Sequence, residues 1–170
     1  GNTLAYDLNI LSPEDAAEKI VANKARFMDC MEITFPGSDL KPIYSPNTVC
    51  YGIPAGLLNS YDSLRCIALD CLRGALYEIS GYLQLVSNRV YRAKIEFPES
   101  TNIDPKLREL LAKGSDLCWI QAQNTVHTGD KLATAPLAII DDGLLDLVIV
   151  PHASRLTLVA MAQELKAGKI

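Results

Sequence analysis

Two adjacent carboxylates, Asp141 and Asp142, stand directly before Gly143 and an apolar run, Leu144-Leu145-Asp146-Leu147-Val148-Ile149-Val150, that ends at Pro151. The run has strand length and is rich in β-branched residues, so it reads as a buried strand. Asp-Gly ahead of it is turn chemistry: Gly accepts φ > 0, and an Asp side chain can accept a hydrogen bond from the backbone just ahead. Neighbouring carboxylates at the mouth of a buried strand repel each other unless they point apart or share a cation. One carboxylate with backbone carbonyls and water is the usual way that Mg²⁺ or Ca²⁺ is held. The residues alone leave two readings open, a pair of solvated turn residues or an oxygen-ligand site.

Other candidates carry weaker chemistry. Asp62, Arg65, Asp70 and Arg73 form a polar set in the one long helical region. Asp62 and Arg65 also have the (i, i+3) spacing of a surface ion pair, worth a few tenths of a kcal/mol. Leu69, Leu72, Leu76, Tyr77 and Leu83 have the spacing of ordinary core, and the same spacing suits a slot for an acyl chain. His127-Thr128-Gly129-Asp130 carries a His and an Asp without a nucleophile motif, and it reads as a hairpin turn. His127 and His152 have no cysteine at zinc-ligand spacing. The five cysteines (Cys30, Cys50, Cys66, Cys71 and Cys118) include no C-x-x-C pair. A reduced, intracellular protein with mostly buried thiols is the expectation.

The elements that must position these residues follow from periodicity. Ser12-Pro13-Glu14-Asp15 is a helix start, with Ser as N-cap and Pro at the first helical position, and Ala16, Ala17, Ile20 and Val21 give that helix an apolar face. Residues 24–35, 43–44, 48–53, 89–97 and 116–123 read as strands, broken by Pro and Gly turns. Leu57 to Val86 is helical, with Leu64, Ile67, Ala68, Cys71, Leu72, Ala75, Leu76 and Ile79 as a buried stripe, and Gly74 and Gly81 leave room for a break into two helices. Asp104-Pro105 starts a short helix, and Ser154 caps a last one whose Leu158, Val159, Ala162 and Leu165 face inward. These elements predict a mainly β (α+β) fold: an antiparallel β-sandwich with a long helical insert and a C-terminal helix. No β-α-β alternation or Gly-rich phosphate loop occurs.

Composition fits this reading. At 170 residues with 49% apolar and 21% charged, the chain is globular in balance and long enough to bury a core. A net charge of −4 with scattered Lys and Arg argues against a nucleic-acid partner. No apolar run approaches the ~20 residues that span a bilayer.

The stretch G-D-K-L-A-T-A-P-L-A-I-I-D-D-G-L-L-D-L-V-I-V-P, with Ser154-Arg155-Leu156 after it, resembles the C-terminal-domain signature of the diacylglycerol kinase and sphingosine kinase superfamily of lipid kinases. Gly1-Asn2-Thr3-Leu4-Ala5 resembles the tail of the family's G-T-G-N-x-x-A segment, and Arg89-Val90-Tyr91-Arg92-Ala93-Lys94-Ile95 resembles its R-x-Y-x-x-x-I strand. The resemblance therefore touches both ends and the middle of the chain. It implies the lipid-binding part of an ATP-dependent lipid kinase that phosphorylates the hydroxyl of a sphingoid base, ceramide or diacylglycerol. It further implies a Mg²⁺ held by Asp142 and the carbonyls of Ile139 and Leu144. Asp62, Arg65 and Arg73 would meet the lipid headgroup or nucleotide phosphate, and Gly1, Asn2 and Thr3 would lie beside the nucleotide, frayed once severed from the preceding strand.

Here the sequence departs from the pattern in one place, with Gly56 where one alignment expects the headgroup Asp and Asp62 supplied by a shifted register. Neither the family's G-G-D-G-T loop nor its D-G-E turn occurs in residues 1–170. The segment is thus expected to hold no catalytic residue, to lack the N-terminal nucleotide-binding domain and to be inactive alone. Residues 1–11 read as a remnant of an inter-domain linker, and residues 12–170 as a single sandwich incomplete at its C-terminus. The expected partners are a lipid substrate, ATP through the missing domain and a peripheral membrane contact in the cytoplasm. The competing reading is a non-catalytic lipid-binding or regulatory sandwich.

Overall fold

The structure is a computed structural model that describes residues 2–65, 73–87, 89–129 and 132–168; at Asn2, Arg65, Arg73 and Gly74 the backbone alone is described. Among these residues the order is α1 (Asn2–Asp7), α2 (Pro13–Val21), β1 (Met31–Ile33), β2 (Ile43–Ser45), β3 (Thr48–Gly52), α3 (Ile53–Arg65), α4 (Arg73–Ser87), β4 (Tyr91–Ala93), α5 (Pro105–Lys113), β5 (Ser115–Gln123), β6 (His127–Thr128), β7 (Leu132–Ala133), β8 (Asp146–Pro151) and α6 (Arg155–Lys166). The fold is α+β, as the periodicities predict. β1 pairs antiparallel with β2, β4 with β5, and β6 with β7. β5 lies between β3 and β4 and also pairs with β8.

The chain divides into two compact units: Gly1–Val49 with Gln121–Val148 and Glu164–Ile170, and Cys50–Ile120 with Ile149–Gln163. The core of the second unit is Ile53, Cys118 and Leu158, with Leu85, Trp119, Val150 and Ala153 packed against it. Gly52 makes this packing possible: at φ +88° its missing Cβ would stand 2.4 Å from the Cys118 carbonyl oxygen. α3 and α4 lie close together because small residues meet large ones, with Gly81 against Leu57 and Gly56 against Gln84, whose Nε2 donates to Ser60 Oγ at 2.8 Å. Tyr61 and Tyr77 add an edge-to-face contact at 5.5 Å. That close approach buries Ser80 and leaves the expected core residue Ile79 about half exposed. Ile67, Ala68, Cys71 and Leu72 of the expected stripe lie outside the described residues.

Two strands are shorter than their hydropathy predicts, because their backbone groups bond elsewhere. Of residues 24–35 only Met31–Ile33 is strand; the Asp29 N–H instead donates to the Ile140 carbonyl at 2.7 Å. The strand expected over 89–97 stops at Ala93, and the Ile95 N–H donates to Leu111 O at 3.0 Å, at the end of α5.

Helix starts follow their caps. Ser12 accepts from the Asp15 N–H at 3.1 Å, Asp104 from Lys106 and Leu107, and Ser154 from Thr157 at 3.2 Å. α2 forms where its cap predicts, and its apolar face is largely open: Ile20 is 78% and Val21 87% exposed. The amphipathic period forms the helix, and of that face only Ala16 is partly buried.

Candidate functional site

The D-D-G turn lies in the first unit, and its two carboxylates have separate partners. Asp141 Oδ2 is 3.5 Å from the Arg26 guanidinium, and both side chains are about half exposed. Asp142 Oδ1 accepts from the Leu144 N–H at 2.9 Å, the local side-chain turn that Asp-Gly predicts. Gly143 has φ +75°, and its N–H donates to a third carboxylate, Asp29 Oδ2, at 2.6 Å.

A buried amide fixes the far side of the turn. Asn124, 1% exposed, donates from Nδ2 to Asp29 O at 2.9 Å, Ile140 O at 3.2 Å and Pro46 O at 3.4 Å. Its backbone N–H donates to Asn47 O at 2.9 Å. Its Oδ1 is buried without a partner. Polar residues continue around it. Gln121, Gln123 and Thr125 are also buried; Gln123 Oε1 accepts from Thr134 Oγ1 at 2.8 Å, and Thr125 Oγ1 donates to Asn47 Oδ1.

The donor set at the turn suits a hard divalent cation. Asp142 Oδ2 has no protein partner among the described residues, and carbonyl oxygens flank it in the chain at Ile139 and Leu144, whose side chains are exposed. Burial, and after it the charge of Asp142, pushes the Asp146 carboxyl up from its ordinary range. Among the described residues no three His, Cys, Asp or Glu converge as metal ligands, so a cation here would depend on backbone carbonyls.

Asp62 is exposed on α3, in the second unit, and the side chains of Arg65 and Arg73 are not described. Leu76 and Tyr77 are partly buried, Leu83 is 54% exposed, and Leu69 and Leu72 lie outside the described residues. Gly1 also lies outside them. Thr3, expected in a frayed end, is instead in the first turn of α1, which continues to Asp7. There Asp7 accepts from His127, so the imidazole pairs with α1, and β6 with β7 forms the hairpin that His127-Thr128-Gly129-Asp130 predicts; Asp130 itself lies outside the described residues.

Asp29, Asn124 and Asp7 escaped the sequence reading. The available signal was the run Gln121-Ala122-Gln123-Asn124-Thr125, polar residues where a buried strand should be apolar.

Residues 74–170 match the family of the YegS C-terminal NAD kinase beta sandwich-like domain. The chain belongs to that family. The matched part of this YegS-type domain includes Asn124, the D-D-G turn and α6, whereas Asp7 and Asp29 precede it. Among curated proteins the chain is similar to a probable lipid kinase YegS-like protein of Chromohalobacter salexigens, with 35% identity over 85 residues. Those residues are 50% of this chain and 24% of that protein, so the chain spans about a quarter of the relative's length.

Proposed function

We propose that this chain is the lipid-binding part of an ATP-dependent lipid kinase, which moves the γ-phosphoryl of ATP to a hydroxyl of diacylglycerol, ceramide or a sphingoid base. The observation that carries the reading is the YegS-type family match over residues 74–170, which encloses the D-D-G turn; the relative's description as a probable lipid kinase agrees with it.

In this reading Mg²⁺ is held by Asp142 and the carbonyls of Ile139 and Leu144, and it supplies fixed positive charge at the mouth of β8. This chain's own contribution is to shape that mouth. Asp29 pins the Gly143 N–H, and Asn124 pins Asp29 and Ile140. Asp62, Arg65 and Arg73 serve the lipid headgroup or nucleotide phosphate, and Gly1, Asn2 and Thr3 border the nucleotide. The family's phosphate-gripping loop lies outside residues 1–170. The enzyme meets its lipid as a peripheral protein at the cytoplasmic membrane face.

The test is phosphoryl transfer from labelled ATP to a small lipid panel, with the longer protein that contains this chain and with residues 1–170 alone. We expect a labelled lipid from the longer protein only. Lipid binding with no labelled product from the longer protein would sink the kinase and favour a binding module. For the cation, added Mg²⁺ should raise the thermal midpoint of the wild type and leave Asp142→Asn unchanged. Equal shifts in both would remove Asp142 from the site.

A further inference from the structure

Asp7 and His127 form a cluster that the D-D-G turn does not use. Asp7 ends α1, and its side chain is 5% exposed. It accepts twice from one residue: Oδ2 from the His127 backbone N–H at 3.1 Å and Oδ1 from the imidazole Nδ1 at 2.5 Å. An ionised carboxylate only accepts, so Nδ1 is the donor to Asp7, and in the neutral imidazole the other ring nitrogen is the one left to accept from a ligand. Tyr6 meets the ring edge-on at 5.0 Å, which holds its plane. Nε2 has no partner among the described residues, and 21% of the His127 side chain is exposed. Tyr6 and Asp7 are the titratable groups that face the ring from α1, and β7 (Leu132–Ala133) carries none.

Tying α1 to β6 needs no imidazole, because the backbone bond to Asp7 already does it. The second bond fixes which nitrogen carries the proton and where the free one points, the division of labour by which a carboxylate prepares an imidazole for a hydroxyl. We infer that the Asp7–His127 pair is a ligand site in which His127 Nε2 accepts a hydrogen bond from an alcohol hydroxyl. Asp7 is its positioning residue. The pair rests on the kinase reading only for which hydroxyl it meets: the nucleotide ribose or the lipid alcohol.

The experiment uses the longer protein with ¹⁵N-labelled histidine, in which the His127 ring signals are identified by their loss in His127→Phe. It is titrated separately with ATP, with 2′,3′-dideoxy-ATP, with a short-chain diacylglycerol in micelles, and with the same lipid methylated at its hydroxyl. We expect Nε2 to shift with one hydroxyl-bearing ligand and not with its hydroxyl-free counterpart, and the arm that responds names the source. The double variant Asp7→Leu/His127→Phe leaves no orphaned charge, and it should bind the responding ligand roughly tenfold more weakly. Silence at Nε2 in all four titrations, or unchanged affinity in the double variant, overturns the inference and leaves the pair a latch for α1. An active kinase with a silent Nε2 fails here alone. A responsive Nε2 in a protein that labels no lipid fails only the kinase reading.

Discussion

Asn124 carries an uneven share of the turn. Its one NH₂ group faces three carbonyls, and no other residue type offers two donors in the same volume. Asn124→Ala should therefore cost about 1–3 kcal/mol, the penalty for leaving buried acceptors unpaired, and a shift in the urea midpoint at constant slope would measure it. An unchanged midpoint would mean that water replaces the amide without loss. The thiols differ in the same local way. Burial pushes the Cys118 and Cys50 thiols up, while Cys30 is exposed. Mass mapping after brief alkylation near neutral pH should find Cys30 modified before Cys50, and Cys118 protected until unfolding. Asp141 and Asp142 were legible as a candidate site because they are neighbours beside a glycine. Asp29 was not: it meets Gly143 across 114 positions, and no local pattern encodes that distance.

Elements were legible where their ends are marked. Ser12-Pro13, Asp104-Pro105 and Ser154 each start a helix, since a cap is a contact within three residues. Strand lengths were not, because Asp29 and Ile95 bond to groups far along the chain. Nor was the exposure of Ile20 and Val21, since a periodic face says only that a partner would fit.

Among the described glycines, Gly52 at the end of β3 has the closest backbone neighbour. Gly52→Ala adds left-handed strain to a clash with the Cys118 carbonyl and should cost about 2–4 kcal/mol. Gly37→Ala has φ +78° but open space around it and should cost only about 1 kcal/mol. Equal thermal shifts for the two would contradict the packing described. At the start of α2, the Lys19 side chain, and after it the Leu11 N–H, hold the Asp15 carboxyl below the usual carboxylate range. A lowered acid contributes stability above its ordinary range and loses it as the pH falls through the lowered value. Carboxyl NMR should place the Asp15 midpoint below that of an unpaired Asp, and Lys19→Met should move it up.

On the scale of the whole molecule, the α+β class and the family were both readable, because the D-D-G strand is contiguous and the match runs through it. Among the described residues no helix is long and apolar enough to cross a membrane. The division into two compact units was not readable, since each is assembled from segments far apart in sequence. The Asn124 amide joins points 95, 78 and 16 residues away. Closing loops that long before any contact repays the lost entropy is slow, so this junction belongs to the late steps of folding. The aspartate turn should then be the last part of its unit to become rigid and the first to loosen. In native-state hydrogen exchange, the amides of Gly143 and Leu144 should open at a lower free energy than those in the middle of β5.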